Sequence, residues 1–207
     1  ITGQYSPAGL FGIVEEQGSI ESLSVRGVVS VSDSADTTTG GIVGINHGTL
    51  INCQFTGVVT GDSEVGGIVG RNESEGTIDH STARAIVTGK SSTGGIAGYN
   101  LGAITGCTNV GSINTEYPEA SLDTDGFTAK MVDYINNKMA AADNDATNSV
   151  TNVATDTGGI AGRSSGMILT SVNAGTIGYE HVGYNVGGIV GRTDGLVSGC
   201  VNQGCVL

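Results

Sequence analysis

Apolar residues recur along this chain at fixed offsets from glycine, in short runs rich in Val and Ile with polar residues between them. Six twelve-residue windows align without a gap: GSIESLSVRGVV (18–29), GTLINCQFTGVV (48–59), GTIDHSTARAIV (76–87), GAITGCTNVGSI (102–113), GMILTSVNAGTI (166–177) and GLVSGCVNQGCV (195–206). Gly always stands first. The third position is Ile20, Leu50, Ile78, Ile104, Ile168 or Val197, and the twelfth is Val29, Val59, Val87, Ile113, Ile177 or Val206. Each window follows a pentad of small, Gly, apolar, apolar, Gly: AGLFG (8–12), GGIVG (40–44), GGIVG (66–70), GGIAG (94–98), GGIAG (158–162) and GGIVG (187–191).

Successive pentads lie 32, 26, 28, 64 and 29 residues apart. A unit of that size holds about three short strands with turns between them. It cannot bury its own apolar face, so the units must stack. The chain is therefore predicted to be all-β, a parallel β-helix of about six rungs. Matching positions in successive coils would lie about 4.8 Å apart. The coil is expected to be right-handed, from the general crossover preference. Glycine makes up 36 of 207 residues, well above its usual share of about 7%. The expectation is that glycine bends the turns, often with φ > 0. A calcium-binding β-roll is disfavoured because GGIVGIN lacks the Asp of that nonapeptide. A phosphate loop is disfavoured because the motif lacks the P-loop Lys and recurs.

The long interval marks an insertion. Rungs one to four are assigned to 1–113, the insertion to 114–157, and rungs five and six to 158–207. Closing a loop of that length costs only about 2 kcal/mol more than closing a short one. Within it, Phe127, Met131, Ile135 and Met139 recur every fourth residue, which predicts a helix near 126–142 capped by Asp125. Its apolar stripe is expected to pack on the flank of the β-helix. DNDATN at 143–148 lacks the Gly and terminal Glu of an EF-hand and reads as a solvated loop.

Two window positions form columns. The sixth reads Leu23, Cys53, Ser81, Cys107, Ser171 and Cys200, a line of small side chains with buried structural thiols. Cys53 and Cys107 would lie two coils, roughly 9.6 Å, apart, beyond the ~7 Å limit for a disulfide. The same holds for Cys107 and Cys200, so only Cys200 and Cys205 could meet. The eighth position ends in Asn109, Asn173 and Asn202, which can hydrogen-bond amide to amide up the stack. Asn46, Asn72 and Asn100 follow the pentads and read as turn residues, whose side chains bond nearby backbone and tolerate the left-handed region.

The net charge of −12, from 20 acidic and 8 basic residues, argues against nucleic acid, whose binding needs clustered Lys and Arg. No apolar run reaches membrane-spanning length, so no membrane insertion is expected. No CxxC or other ligand pattern suggests a metal or cofactor. Arg71, Arg163 and Arg192 share the position directly after the pentad. They read as solvated arginines or as a contact for a small anion or a glycan and, with Phe127 and Tyr134 of the insertion, as a candidate binding surface for a glycan or a protein. Asp33 with Asp36, or Glu15 with Glu16, could be proposed as catalytic carboxylates. They sit in loop-like segments and read as surface charges. Asn72–Ser74 fits a glycosylation sequon, relevant only in a eukaryotic secretory route.

AGLFG followed by GSIESL, and the repeated GGIVG, Asn, Gly, apolar, Asn/Gly, Cys pattern, resemble the GLUG-motif repeats. These occur in the N-terminal regions of bacterial IgA-specific metallopeptidases and in large surface proteins and adhesins. The resemblance covers nearly the whole chain except 114–157. Peptidase chemistry in that family lies in a separate zinc domain with HExxH. His47, His80 and His181 make no such motif, so that activity is not carried over. The resemblance implies a secreted or cell-wall-attached location in a bacterium. The function expected is a non-catalytic repeat module, a stalk or an adhesive surface binding host glycan or protein. A carbohydrate-active enzyme is the alternative by analogy of fold, as is a glycan- or host-protein-binding module using the flank near the insertion. The last window lacks a polar cap, which suggests a monomeric fragment of a longer chain.

Overall fold

The computed structural model describes residues 1–3, 6–31, 37–115, 155–178 and 184–207. The helix expected at 126–142, with Phe127 and Tyr134, lies outside them, as do residues 143–148, Asp33, Asp36 and His181.

Four short strands, rather than three, make one coil. In the third coil they are Glu64–Gly66, Val69–Asn72, Thr77–Asp79 and Thr82–Thr88. Each pairs in parallel with its counterparts in the coils before and after, so the molecule is a parallel β-solenoid. Strands like Thr82–Thr88 build sheet A, and those like Glu64–Gly66 build sheet B. Strands like Val69–Asn72 build sheet C, and those like Thr77–Asp79 build sheet D. Sheets C and D are six strands deep, sheet B five, and sheet A contains nine strand segments. No helix occurs among the described residues. The sheet B strands escaped the sequence reading because they are made of Ser, Thr and Glu as much as Val, with no apolar alternation to mark them.

The register is residue-to-residue. Leu50, Ile78, Ile104 and Ile168 lie in one line, and all four are fully buried. Ile42, Ile68, Ile96 and Ile160 are fully buried too, as are Val59, Val87, Ile113 and Ile177. Burying such a side chain is worth roughly 1.5–3 kcal/mol. Each inner coil thus contributes several of these, which explains how so short a repeat sustains a core.

The glycine doublets of the pentads are a close-approach device. They do not have the positive φ that the sequence suggested; among the described glycines only Gly57, Gly106 and Gly199 do. An alanine methyl at Gly40, Gly66, Gly94 or Gly158 would strike the carbonyl oxygen of Val43, Val69, Ala97 or Ala161, three residues on. At Gly41, Gly67, Gly95 or Gly159 it would strike the carbonyl of the matching glycine one coil away. One column of left-handed backbone falls instead at the fifth window position, where Ser22, Asn52, His80, Gly106, Thr170 and Gly199 have φ of 55°, 53°, 46°, 62°, 47° and 65°; Ser92, Asp156 and Asn185 in sheet B, and Asn114, are left-handed too. Four of the six in that column are not glycine, so composition hid it.

A non-glycine residue in that region costs roughly 1–2 kcal/mol, and a β-branched one is the least suited. Thr170 is exposed, so Thr170→Gly relieves the strain with little packing to lose. The expected result is a gain of about 0.5–1 kcal/mol after the entropy cost of glycine. A urea-unfolding midpoint that stays put or falls would refute it.

Candidate functional site

Three polar ladders run through the interior. In the first, Asn46 Nδ2 donates to Asn72 Oδ1 at 2.8 Å, and Asn72 Nδ2 to Asn100 Oδ1 at 2.8 Å. Asn100 Nδ2 then donates to Ser164 Oγ at 3.1 Å. All four are fully buried at the ends of sheet C strands. The bonding to nearby backbone expected of turn asparagines is present, with Asn46 Nδ2 donating to Gly48 O at 3.1 Å and Gly48 N–H to Asn46 Oδ1 at 3.2 Å, but none of the three has the left-handed backbone, since none has a positive φ. They sit where the chain turns from sheet C to sheet D, and their amides bond inward along the stack. The sequon asparagine Asn72 accordingly presents no amide to solvent.

In the second ladder Asn109 Nδ2 donates to Asn173 Oδ1 at 2.8 Å, and Asn173 Nδ2 to Asn202 Oδ1 at 2.7 Å. The same oxygens accept from the backbone two residues on, Gly111 N–H at 3.1 Å and Gly175 N–H at 3.2 Å. That local bond competes with the strand ladder. It explains why sheet A breaks into Thr108–Asn109 and Ser112–Ile113, and again into Val172–Asn173 and Thr176–Ile177. Where Phe55 or Ala83 holds the position, the strand runs on unbroken. Each asparagine side chain also lies against the second glycine of a doublet, Asn109 on Gly95 and Asn173 on Gly159.

The third ladder couples side chain to backbone. Cys53 N–H donates to Ser81 Oγ at 3.1 Å, Ser81 N–H to Cys107 Sγ at 3.4 Å, and Cys107 N–H to Ser171 Oγ at 3.2 Å. Ser81 and Ser171 hydroxyls donate to carbonyls two residues back, at 3.1 and 3.0 Å. The Cys53 and Cys107 thiols do the same at 3.4 Å. Hydroxyl and thiol thus fill one role, which explains their interchange. All four cysteines are free, Cys200 and Cys205 included.

Burial pushes the Cys107 thiol up to about 12, and burial likewise raises Cys53. A thiol raised above its unfolded value adds stability that is fully present below about pH 9 and is lost as pH climbs toward 12. Two results follow. A disulfide-exchange reagent at pH 8 should label exposed Cys205 promptly, but Cys53 and Cys107 only as fast as the protein unfolds. Prompt labelling of all four would contradict the buried column. Cys107→Ser should shift stability by under about 1 kcal/mol while flattening its fall above pH 9.

Outward from sheet C a different column appears. Ile13, Ile45, Arg71, Tyr99, Arg163 and Arg192 stand in lateral register on successive coils. Arg71 pairs with Glu64 at 2.9 Å and Glu73 at 2.7 Å. Burial opposes its charge, but the two carboxylates outweigh that and hold its pKa above the ordinary value. The Tyr99 ring lies between two guanidinium groups, with those of Arg71 and Arg163 each 5.1 Å from its centroid. Arg163 and Arg192 are adjacent, as the repeat spacing implied. Tyr99 was missed, although it occupies the arginine position in GGIAGYN. Asp194, close by, is held below the usual carboxylate range by its hydrogen bond to Ser165 first, then by the fields of Arg163 and Arg192. Glu15 and Glu16 lie exposed beside a turn in the first coil. Among the described residues no group of His, Cys, Asp and Glu is placed to hold a metal ion. Nor is any helix there long and apolar enough to cross a membrane.

Stacked four-strand coils, closed inside by amide and hydroxyl ladders, define a β-solenoid repeat protein. More narrowly, the chain carries the GLUG motif: residues 61–88 match that family model, and they comprise one complete coil. A stretch of 75 residues, 36% of this chain, is 36% identical to Halomucin of Haloquadratum walsbyi (strain DSM 16790 / HBSQ001) and spans 1% of that protein's length. Haloquadratum is archaeal, so this relative does not support the bacterial origin that the resemblance implied. No solved structure matches.

Proposed function

We propose that the chain is a non-catalytic repeat module of a secreted or cell-surface protein, serving as a stiff stalk that presents binding surfaces on its flanks. The observation that carries this reading is the use of the buried polar groups. The asparagine, serine and cysteine columns bond to one another and to the backbone from coil to coil, so they bear on stacking and not on a substrate. A uniform cross-section with in-register pairing resists bending, because each coil is hydrogen-bonded to its neighbours on four sheets. The match to a small fraction of a much longer relative fits a module within a larger assembly.

The test has two arms. Protease treatment of intact cells, followed by detection of the module, reads its location; protection equal to that of a cytoplasmic marker would overturn the surface assignment. Incubation with a polysaccharide panel reads turnover. Release of shortened chains would replace this reading with that of a carbohydrate-active enzyme, whereas binding with no cleavage would support the proposal.

A further inference from the structure

We propose that Arg163, braced by Tyr99, and Arg192 beside it bind the carboxylate or sulfate groups of an acidic polysaccharide lying along the solenoid axis. The inference rests on the reading of the module as an exposed, non-catalytic surface and names a ligand class for it.

The first support is charge. The chain has five arginines, and three of them, Arg71, Arg163 and Arg192, share one column in a protein with 20 acidic residues. The second is compensation. Arg71 is neutralised by Glu64 and Glu73. Among the described residues neither Arg163 nor Arg192 forms an ion pair with a carboxylate. Their strands are adjacent and in register, which sets the two backbones about 4.8 Å apart. Two guanidinium groups at that spacing repel each other. An oxyanion between them is attracted to both and meets two planar forks of N–H donors.

The third support is preorganisation. Arg163 stacks on one side of Tyr99 while Arg71, locked by two carboxylates, stacks on the other. A guanidinium fixed before the ligand arrives loses less side-chain freedom on binding. Both faces of Tyr99 are covered, so the ring positions Arg163 and is not a platform for a sugar. Asp194 spends its hydrogen bond on Ser165 yet feels both arginines, so it stands as a weak resident competitor at the rim. Cationic groups repeating along the axis suit a linear polymer with one acidic group per sugar residue. The densely charged backbone of a nucleic acid would meet the acidic remainder of the surface.

Calorimetric titration of the protein at low salt with a uronic-acid tetrasaccharide tests the site, with the neutral hexose tetrasaccharide and sodium sulfate alongside. The uronate is expected to bind, the neutral sugar not, and sulfate more weakly than the uronate. Arg163→Gln with Arg192→Gln should weaken uronate binding by about tenfold or more. Arg84→Gln, exposed on sheet A, should leave it unchanged, and Asp194→Asn should tighten it. Should the double variant melt early, Arg192→Gln alone, on an exposed side chain, provides the same comparison. Binding that survives loss of both arginines, or that is equal for the neutral sugar, would overturn the proposal, as would no binding at all. Sulfate binding as tightly as the tetrasaccharide would overturn the polysaccharide as the occupant. Those failures leave the stalk reading standing, whereas cleavage of the tetrasaccharide would overturn that reading itself.

Discussion

Gly94→Ala is expected to lower stability by about 4 kcal/mol or more, the extreme of single-substitution effects. The added methyl would strike the Ala97 carbonyl oxygen and come within 2.7 Å of both Ala161 Cα and Gly162 N. All three contacts are backbone, so no side chain can swing away. Relief requires moving one coil off the next, which loosens hydrogen bonds on more than one sheet. Overpacking relieved by side-chain shifts usually costs 1–3 kcal/mol, and backbone obstruction should exceed that. Gly27→Ala is the matched control: nothing lies within 4 Å of the position its methyl would take. There the substitution should be neutral or stabilising by about 0.5 kcal/mol. Denaturant unfolding of the two variants reads the contrast directly, and similar midpoints would dispose of the close-approach account.

Asn72→Leu should cost about 3 kcal/mol. The substitution strands Asn100 Oδ1, which loses the Asn72 donor, and removes one of the two bonds of Asn46 Nδ2, which keeps Gly48 O at 3.1 Å as an acceptor. The Gly76 carbonyl loses the 3.0 Å bond from Asn72 Nδ2 but keeps the Ala103 N–H at 2.9 Å. Each buried polar group left unpaired costs roughly 1–3 kcal/mol, and the gain in apolar contact offsets part of that. Asn173→Leu should cost less, about 2 kcal/mol, because its neighbour Asn202 is exposed and can turn to water. The ordering is the sharper test. If Asn173→Leu proves the more damaging, burial of the neighbouring amides is not what sets the cost.

The repeat, the inward columns of Ile and Val, and the parallel stacking were legible because each leaves a mark at a fixed offset from glycine. The Asn109–Asn173–Asn202 line was legible for the same reason. The Asn46–Asn72–Asn100 line was legible as a column with local bonding, but its bonds to the next coil were not, since local bonding alone already explains asparagine beside a turn. The left-handed column was invisible: Ser22, His80 and Thr170 are not residues that announce positive φ. Tyr99 lay in plain view at an arginine position, but its meaning required knowing that Arg71 and Arg163 flank it at the same 5.1 Å.

By itself, the order of residues determined that this chain must stack on itself, which side chains face the core, and that glycine recurs at the pentads and at the first position of every window. These follow from periodicity, which is local and survives without coordinates. The tertiary structure alone decided why the doublets must be glycine, where each buried amide finds its partner, and which arginine of the column forms ion pairs. The first two depend on what sits one coil away, about 4.8 Å in space but 26 to 64 residues along the chain. Distances of that kind are set by the register of the coils and have no signature in any single repeat.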